Sequence, residues 1–188
     1  MAQSTDNVLL KGASGTIGDQ ITITRRKSGK TIMGKKRRSS DLPPTDKQLV
    51  IQQRFKAAIQ YAKAVLADPV KKAMYAAFAG PDQSAYNMAM RDAFKAPVVD
   101  SIDTTNYQGR TGNPVIIQAS DDFKVTTVKV IIRTNAGAVI EEGEATLQDN
   151  GLDWLYTATV NNASLTGSVI TAVAVDTPGN ETSRERVL

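Results

Sequence analysis

Residues 115–132 read VIIQASDDFKVTTVKVII, which is two runs rich in Val, Ile and Thr on either side of a short polar turn. Similar runs, separated by turn-forming residues, continue to the C-terminus. Such runs favour strands, because β-branched side chains pack well on a pleated surface. Seven strands are predicted on this basis, at 98–103, 114–119, 126–134, 138–145, 154–160, 168–175 and 182–188. Seven short strands in about ninety residues predict a β-sandwich.

The segment before these strands has apolar residues mainly at three- and four-residue steps, which is the period of an α-helix. Thr45 and Gln48 stand at the spacing of a capping box, so a first helix is predicted at 46–67. We expect this helix to bury one apolar stripe. Its members are Leu49, Ile51, Phe55, Ile59, Ala62, Val65 and Leu66.

Two further helices are predicted from the residues that interrupt this segment. Asp68-Pro69 is typical of a helix start, because Asp caps the first turn and proline needs no hydrogen-bond acceptor there. Gly80-Pro81 is typical of a helix end. The predicted helices cover 69–79 and 82–94, and together with the first they predict a small three-helix bundle.

Near the N-terminus, apolar and polar residues alternate, which is typical of a strand. Ile17, Ile21 and Ile23 are expected on one face, with threonines on the other. A break at Ser28-Gly29-Lys30 precedes Thr31-Ile32-Met33, which the pattern predicts as the return strand of a hairpin. Because an isolated hairpin is only marginally stable in water, we expect this one to pack on another surface.

These elements predict an α+β, multidomain chain with three units. Residues 1–40 are expected to form a basic β-hairpin arm, residues 41–96 a small three-helix bundle, and residues 97–188 a β-sandwich.

Charge is distributed unevenly along the chain. Residues 1–40 contain nine basic and two acidic residues, whereas residues 99–188 contain six basic and twelve acidic residues. A basic segment can bind polyanions or the acidic surface of another copy of the same chain. The densest basic stretch contains no acid, and its members are Arg25, Arg26, Lys27, Lys30, Lys35, Lys36, Arg37 and Arg38.

Composition argues against catalysis. The chain has no Cys and no His, so cysteine nucleophiles, thiolate zinc sites and histidine general bases are excluded. Gly29-Lys30-Thr31 matches the end of a phosphate-binding P-loop. However, Thr24 and Arg25 stand where that loop requires glycine, and no helix is predicted to follow. The sequence therefore predicts no enzyme, no cofactor and no small-molecule substrate.

Several acidic residues near the ends of the predicted strands are candidate ligands for a metal ion. Asp121, Asp122, Asp176 and Asn180 carry the oxygen ligands that calcium prefers, and they are expected at one end of the sandwich. Turn formation explains the same residue types more simply, since Asp and Asn side chains bind nearby backbone N–H groups. The sequence therefore predicts no metal site.

The start of the chain shows no targeting signal of the secretory type. Residues 1–10 lack a charged region followed by an apolar one, and no apolar run approaches about 18 residues. We expect no membrane insertion, and a protein that is cytoplasmic or released as part of a particle.

Two stretches carry a resemblance to a known domain type. Residues 115–132 resemble strands B and C of a bacterial immunoglobulin-like (Ig-like) domain, and ITAVAVDTPGNET at 170–182 resembles strand F turning into strand G. The resemblance implies an Ig-like β-sandwich at 97–188. By fold analogy alone, it also allows a module that binds carbohydrate or another surface.

The front half resembles a family of uncharacterised bacterial proteins that combine an SGxIG motif, a hairpin with GKT, a basic stretch and a TxxQ helix start followed by RF. This resemblance implies no activity. The matching residues are Ser14 to Gly18, Gly29 to Thr31, Thr45 to Gln48, and Arg54-Phe55.

These observations predict a non-enzymatic structural protein that self-assembles through its N-terminal arm and helices into a filament or a virion- or tail-like particle. The alternative is sequence-independent nucleic-acid binding by the same arm. For either function, we expect the contact with the partner to be made by the eight basic residues named above, together with Ile17, Ile21 and Ile23.

Overall fold

Three antiparallel sheets and three helices make up the computed structural model, which describes residues 2–4, 8, 10, 12–38 and 42–188. The fold is therefore α+β, as the sequence predicts. None of the helices in these ranges combines the length and apolar character needed to cross a bilayer.

The N-terminal sheet has four strands in the order β1-β4-β3-β2. The central strands β3 and β4 are the pair that the sequence predicts, and two short strands flank them. Their bounds are Ala2–Ser4 (β1), Gly15–Ile17 (β2), Ile21–Arg25 (β3) and Thr31–Lys35 (β4).

The alternating stretch around Ile17 to Ile23 is two strands rather than one. Gly18 and Asp19 both have positive φ, and the Gln20 amide donates to the Ile17 carbonyl, which closes a tight turn. Such a turn matches the twist of paired strands. A period of two continues through the turn, so the sequence pattern does not reveal it.

Helices α1, α2 and α3 cover Asp46–Ala67, Pro69–Ala77 and Ala85–Phe94. The capping box of Thr45 and Gln48 is present at the start of α1, and Asp68 caps α2 through the amides of its first turn. Helix α3 starts later than predicted because the Ser84 side chain caps it by accepting from the Asn87 amide.

The predicted buried stripe of α1 is wrong in its first half. In the first half Leu49, Ile51 and Phe55 are all exposed, whereas in the second half Ala62 and Val65 are buried and only Leu66, in the last turn, is exposed. The reason is length: α1 has 22 residues, whereas α2 and α3 have 9 and 10. At about 1.5 Å per residue, the short helices can cover only part of the long one. The buried helical core is Ala62, Val65, Tyr75, Ala85, Met88 and Ala89.

The remaining strands form two four-stranded sheets, in the orders β5-β6-β10-β9 and β12-β11-β7-β8. All seven predicted strands are present, and β9 is an additional two-residue strand. We call these sheets the C-terminal sheet pair. Its strands are Val98–Asp103 (β5), Pro114–Ser120 (β6), Val125–Arg133 (β7), Val139–Glu144 (β8), Thr146–Leu147 (β9), Asp153–Thr157 (β10), Val169–Asp176 (β11) and Glu181–Val187 (β12).

One hydrophobic core lies between the two sheets. Val115, Ile117 and Trp154 enter it from one sheet, and Val130 and Ile170 from the other. Alternation along each strand sends every second side chain inward, which explains why β-branched residues dominate these strands.

The helices pack against one end of the C-terminal sheet pair. Phe123, in the loop between β6 and β7, has its ring centroid 4.5 Å from that of Tyr75 and 4.9 Å from that of Phe78. The side-chain amide nitrogen of Asn180 also lies 3.4 Å from the backbone carbonyl oxygens of Asp92 and Ala93 in α3. We call this contact region the junction.

Substitution of two valines in the C-terminal sheet pair tests how much its core contributes to the free energy of unfolding. Val130→Ala removes two methyl groups from a fully buried site in β7, and we expect it to lower the free energy of unfolding by about 2 kcal/mol. Val139→Ala, in the neighbouring strand β8 at 55% exposure, is the matched control and should change it by less than about 0.5 kcal/mol. Equal effects in urea denaturation would contradict the assigned burial.

Candidate functional site

The eight basic residues predicted as a contact surface are all exposed, but they form two groups rather than one. Strand β4 separates the groups, and its five residues span about 15 Å. The turn group lies around the β3–β4 turn and contains Arg25, Arg26, Lys27 and Lys30. The exit group begins at the end of β4 and contains Lys35, Lys36, Arg37 and Arg38.

The three predicted isoleucines lie on one face of the N-terminal sheet. Ile17 pairs with Ile21, while Ile23 is opposite Gly15 on one side and Met33 on the other. Ile23 is buried, whereas Ile17 and Ile21 remain 60% and 45% exposed. Ile23 therefore stabilises the sheet itself, and the two others are the isoleucines available to a partner.

The turn group lies beside the loop between α2 and α3. The Ser28 amide and hydroxyl donate to the two carboxylate oxygens of Asp82, at 2.8 and 2.7 Å. These hydrogen bonds, with the nearby charges of Arg26 and Lys30, lower the pKa of Asp82. The N-terminal sheet is thus tied to the helices of its own chain at this turn.

The exit group lies near the turn between β2 and β3. Lys36 forms an ion pair with Asp19, and its backbone amide donates to the Gln20 carbonyl. The ion pair is largely exposed, so it contributes little to stability. A shallow cleft at this place is lined by Asp19, Gln20, Ile21, Lys35, Lys36 and Arg38.

The structure adds a surface that the sequence pattern misses, on the first half of α1. We call it the α1 apolar surface, and its members are Leu49, Val50, Ile51 and Phe55. Their exposed fractions run from 42% to 56%. Ile51 and Phe55 are one helical turn apart, while Leu49 and Val50 point in other directions. A helix with apolar side chains on several sides is normally buried.

Phe55 holds this half of α1 to α3. Its ring packs edge-on against Phe94 at 6.1 Å, and the Arg54 guanidinium lies over the Phe94 ring at 5.4 Å. Arg54 also donates to the Phe94 carbonyl. The half-exposed Phe55 is therefore fixed in place, so the α1 apolar surface has a defined shape.

The acidic residues that could serve as calcium ligands do not all lie together in the structure. Asp122 binds Arg91 and Lys95 at 2.9 and 2.8 Å, and these partners lower its pKa. Asp121 and Asp176 instead approach each other at the junction, together with Asp92 of α3. Sequence reasoning missed Asp92 because a single Asp on an amphipathic helix is most simply a solvated side chain.

The chain matches no known protein-family profile, and no curated protein matches it. Among solved structures, an engineered protein aligns with 57% of this chain at 18% sequence identity, with a TM-score of 0.33. The aligned part is 25% of that protein's chain. This likeness is too low to carry an argument about fold or function.

The contact between Ser28 and Asp82 can be tested by titration. Because the Ser28 hydroxyl stabilises the ionised carboxylate, Ser28→Ala should raise the pKa of Asp82 toward its ordinary value. Carboxyl-detected NMR measures this directly. The control is Asp103, whose pKa is lowered by Thr105 in the same way and should not change in the variant. An Asp82 pKa identical in both proteins would mean that the turn does not contact the helical loop.

Proposed function

We propose that this chain is a non-enzymatic structural protein whose copies assemble through the N-terminal sheet and the first half of α1, each displaying an Ig-like β-sandwich. The α1 apolar surface is the observation that carries the proposal. Scattered exposed apolar residues are normal, but four large ones within seven positions of a helix favour a contact surface. The plausible settings are a filament or a virion- or tail-like particle.

The arrangement of the N-terminal sheet supports the same proposal. Strand β2 stands at the sheet edge and has only three residues, Gly15–Ile17. An edge strand presents backbone N–H and C=O groups that a strand of another chain can pair with. Ile17 and Ile21 lie beside this edge and are exposed, so added pairing would also bury apolar surface.

Charge favours a second copy of this chain as the partner. The basic groups stand on the N-terminal sheet, while residues 99–188 carry a net charge of −6. Contact between these unlike surfaces is head to tail, and such contacts produce rings or open filaments. Opposite charges would speed and orient the encounter, while burial of the α1 apolar surface would supply most of the affinity.

Strand pairing supports an Ig-like assignment for the displayed domain. In chain order, β5, β6, β9 and β10 correspond to strands A, B, D and E, which share one sheet in Ig domains. Strands β7, β11 and β12 correspond to C, F and G in the other sheet, with β8 beside C. The conserved disulfide of antibody domains has no counterpart, because the chain has no Cys.

Substitution of the α1 apolar surface tests the assembly. The double variant Val50→Gln with Ile51→Gln replaces two apolar side chains, 56% and 53% exposed, with glutamine. Glutamine is a good helix former, so the helix itself should not be weakened. We expect the full-length protein to show a concentration-dependent mass in analytical ultracentrifugation, and this double variant to weaken association by at least about 10-fold. High salt should weaken association in part, because only the charged contacts are screened.

The control is Val70→Gln, at a site 79% exposed on helix α2, which lies outside both surfaces proposed for the contact. Its association should equal that of the unmodified protein. A full-length protein that stays monomeric at every concentration contradicts the proposal, and so does equal weakening in both variants.

The alternative function is sequence-independent binding to nucleic-acid backbones, and the exposure of all eight basic side chains favours it. Such binding would weaken steeply with salt, and Arg37→Gln with Arg38→Gln would reduce the slope of log K against log salt by about 2. Retention of a DNA probe at low salt, with no self-association in its absence, would support this alternative over assembly.

A further inference from the structure

Three carboxylates from distant parts of the chain meet at the junction. Asp92 comes from α3, Asp121 from the loop after β6, and Asp176 from the end of β11. Each supplies a carboxylate oxygen that lies within 4.8 Å of the others. Asp92 and Asp176 are only 1% and 2% exposed. We call these residues the acidic triad.

Hydrogen bonds fix each member of the triad through a group outside it. The buried Tyr75 hydroxyl donates to Asp92 Oδ2. The backbone amides of Phe123 and Lys124 donate to Asp121 Oδ2, at 3.2 and 3.1 Å. The three carboxylates are thus oriented before any ligand arrives, which is the role that outer hydrogen bonds play around metal ligands.

Asp176 is held most firmly. Its Oδ1 accepts from the amides of Gly179 and Asn180 at 2.8 and 2.6 Å, and its Oδ2 accepts from the Asn180 side chain at 2.7 Å. Asn180 also reaches the end of α3, so this turn positions Asp176 relative to Asp92. A carboxylate oxygen has two lone pairs, so Oδ1 is fully used by its two hydrogen bonds and Oδ2 keeps one lone pair for a cation.

Two oxygens of the triad have no hydrogen-bond partner. Within the described part of the chain, Asp92 Oδ1 and Asp121 Oδ1 are buried and unsatisfied. The Asp92 carboxyl group also lies within hydrogen-bonding reach of that of Asp121. Buried carboxylate oxygens without donors are costly, because nothing replaces the water that they lose.

The two basic side chains at the C-terminal end of α3 pair with a different carboxylate. Arg91 and Lys95 are the cations of the adjacent helix, and both bind Asp122. Burial raises the pKa of Asp92 to about 7, and burial also raises that of Asp176. Three carboxylates within 4.8 Å of one another, with two buried oxygens unsatisfied, are stabilised by a cation or by a proton.

We propose that the acidic triad binds a hard divalent cation, with Asp92 Oδ1, Asp121 Oδ1 and one oxygen of Asp176 as its protein ligands. Ca²⁺ fits this donor set, because it takes oxygen ligands at about 2.4 Å, so that atoms sharing one ion lie within about 4.8 Å of each other. Mg²⁺ takes the same donors at shorter distances. Zinc is disfavoured, since its usual protein ligands include Cys or His and the chain has neither.

A cation at this place would connect the helices to the C-terminal sheet pair. Asp92 belongs to the helices, while Asp121 and Asp176 belong to the loop and strand that face them. The ion would bind the folded protein and not the unfolded chain, where these three residues are far apart. Binding would therefore stabilise the folded state through mass action.

Thermal unfolding of the full chain, stripped with a chelator and kept at one pH and ionic strength, tests the proposal. We expect Ca²⁺ or Mg²⁺ to raise the melting temperature, by an amount that grows with the logarithm of the ion concentration once this exceeds the dissociation constant. At 100 times the dissociation constant, the ratio of folded to unfolded protein should rise by about 100-fold. Titration calorimetry should give one site per chain, and comparison of the two ions identifies the preferred one.

Asp121→Asn is the informative variant, since it removes one charge from a partly exposed ligand and keeps its size. It should fold and lose at least about 10-fold in cation affinity, because a neutral amide is a weaker ligand. Asp103→Asn, an exposed Asp that caps its own turn, is the control and should bind like the unmodified chain.

Two results would overturn the proposal. One is the absence of any shift with either ion up to about 10 mM, about ten times the weakest dissociation constants of protein calcium sites, which would mean that the triad holds a proton instead. The other is an equal shift in Asp121→Asn and the unmodified chain. If Asp121→Asn fails to fold, calorimetry on the unmodified chain still decides the matter.

Discussion

Aromatic packing at the junction holds the helices against the C-terminal sheet pair. The Phe123 ring packs against Tyr75 and Phe78, and it draws the loop between β6 and β7 onto the helical core. Neither helix α2 nor helix α3 is long enough to be stable alone, so both depend on such tertiary contacts. The apolar contact brings a cost with it, because the same packing buries Asp92 beside two other carboxylates. The proposed cation offsets that cost.

The surfaces proposed for assembly and for cation binding are made by different parts of the chain. The N-terminal sheet and the first half of α1 carry the exposed apolar and basic side chains. The second half of α1 and the two short helices form the buried core near the junction. Exposure on one half of α1 and burial on the other follow from the same difference in helix length. The second half of α1 therefore stabilises the fold of its own chain, while the first half is available for contact with another chain.

Much of the fold could be predicted because it is encoded locally. Runs of Val, Ile and Thr mark the strands, and the side chains of Thr45 and Asp68 mark helix starts through hydrogen bonds within four residues. The site could be predicted only in part. The eight basic residues lie within the short stretch 25–38, but strand β4 separates them into two groups. The turn at Gly18 does not interrupt the alternation of apolar and polar residues, so the sequence pattern does not reveal it. The exposure of Ile51 depends on the lengths of helices α2 and α3, and the approach of Asp92 to Asp176 depends on tertiary packing. Neither can therefore be predicted from a local sequence pattern.

If the junction couples the helices to the C-terminal sheet pair, the two parts unfold together, and two spectroscopic probes measure this. Trp154 is the single tryptophan and lies in the core of the sheet pair, so its fluorescence reports that part alone. Circular dichroism at the helical minimum reports α1, α2 and α3. We expect both signals to follow one coincident urea transition with the same midpoint and slope. Loss of the helical signal at a clearly lower urea concentration than the fluorescence change would show that the two parts unfold independently and that the junction does not couple them.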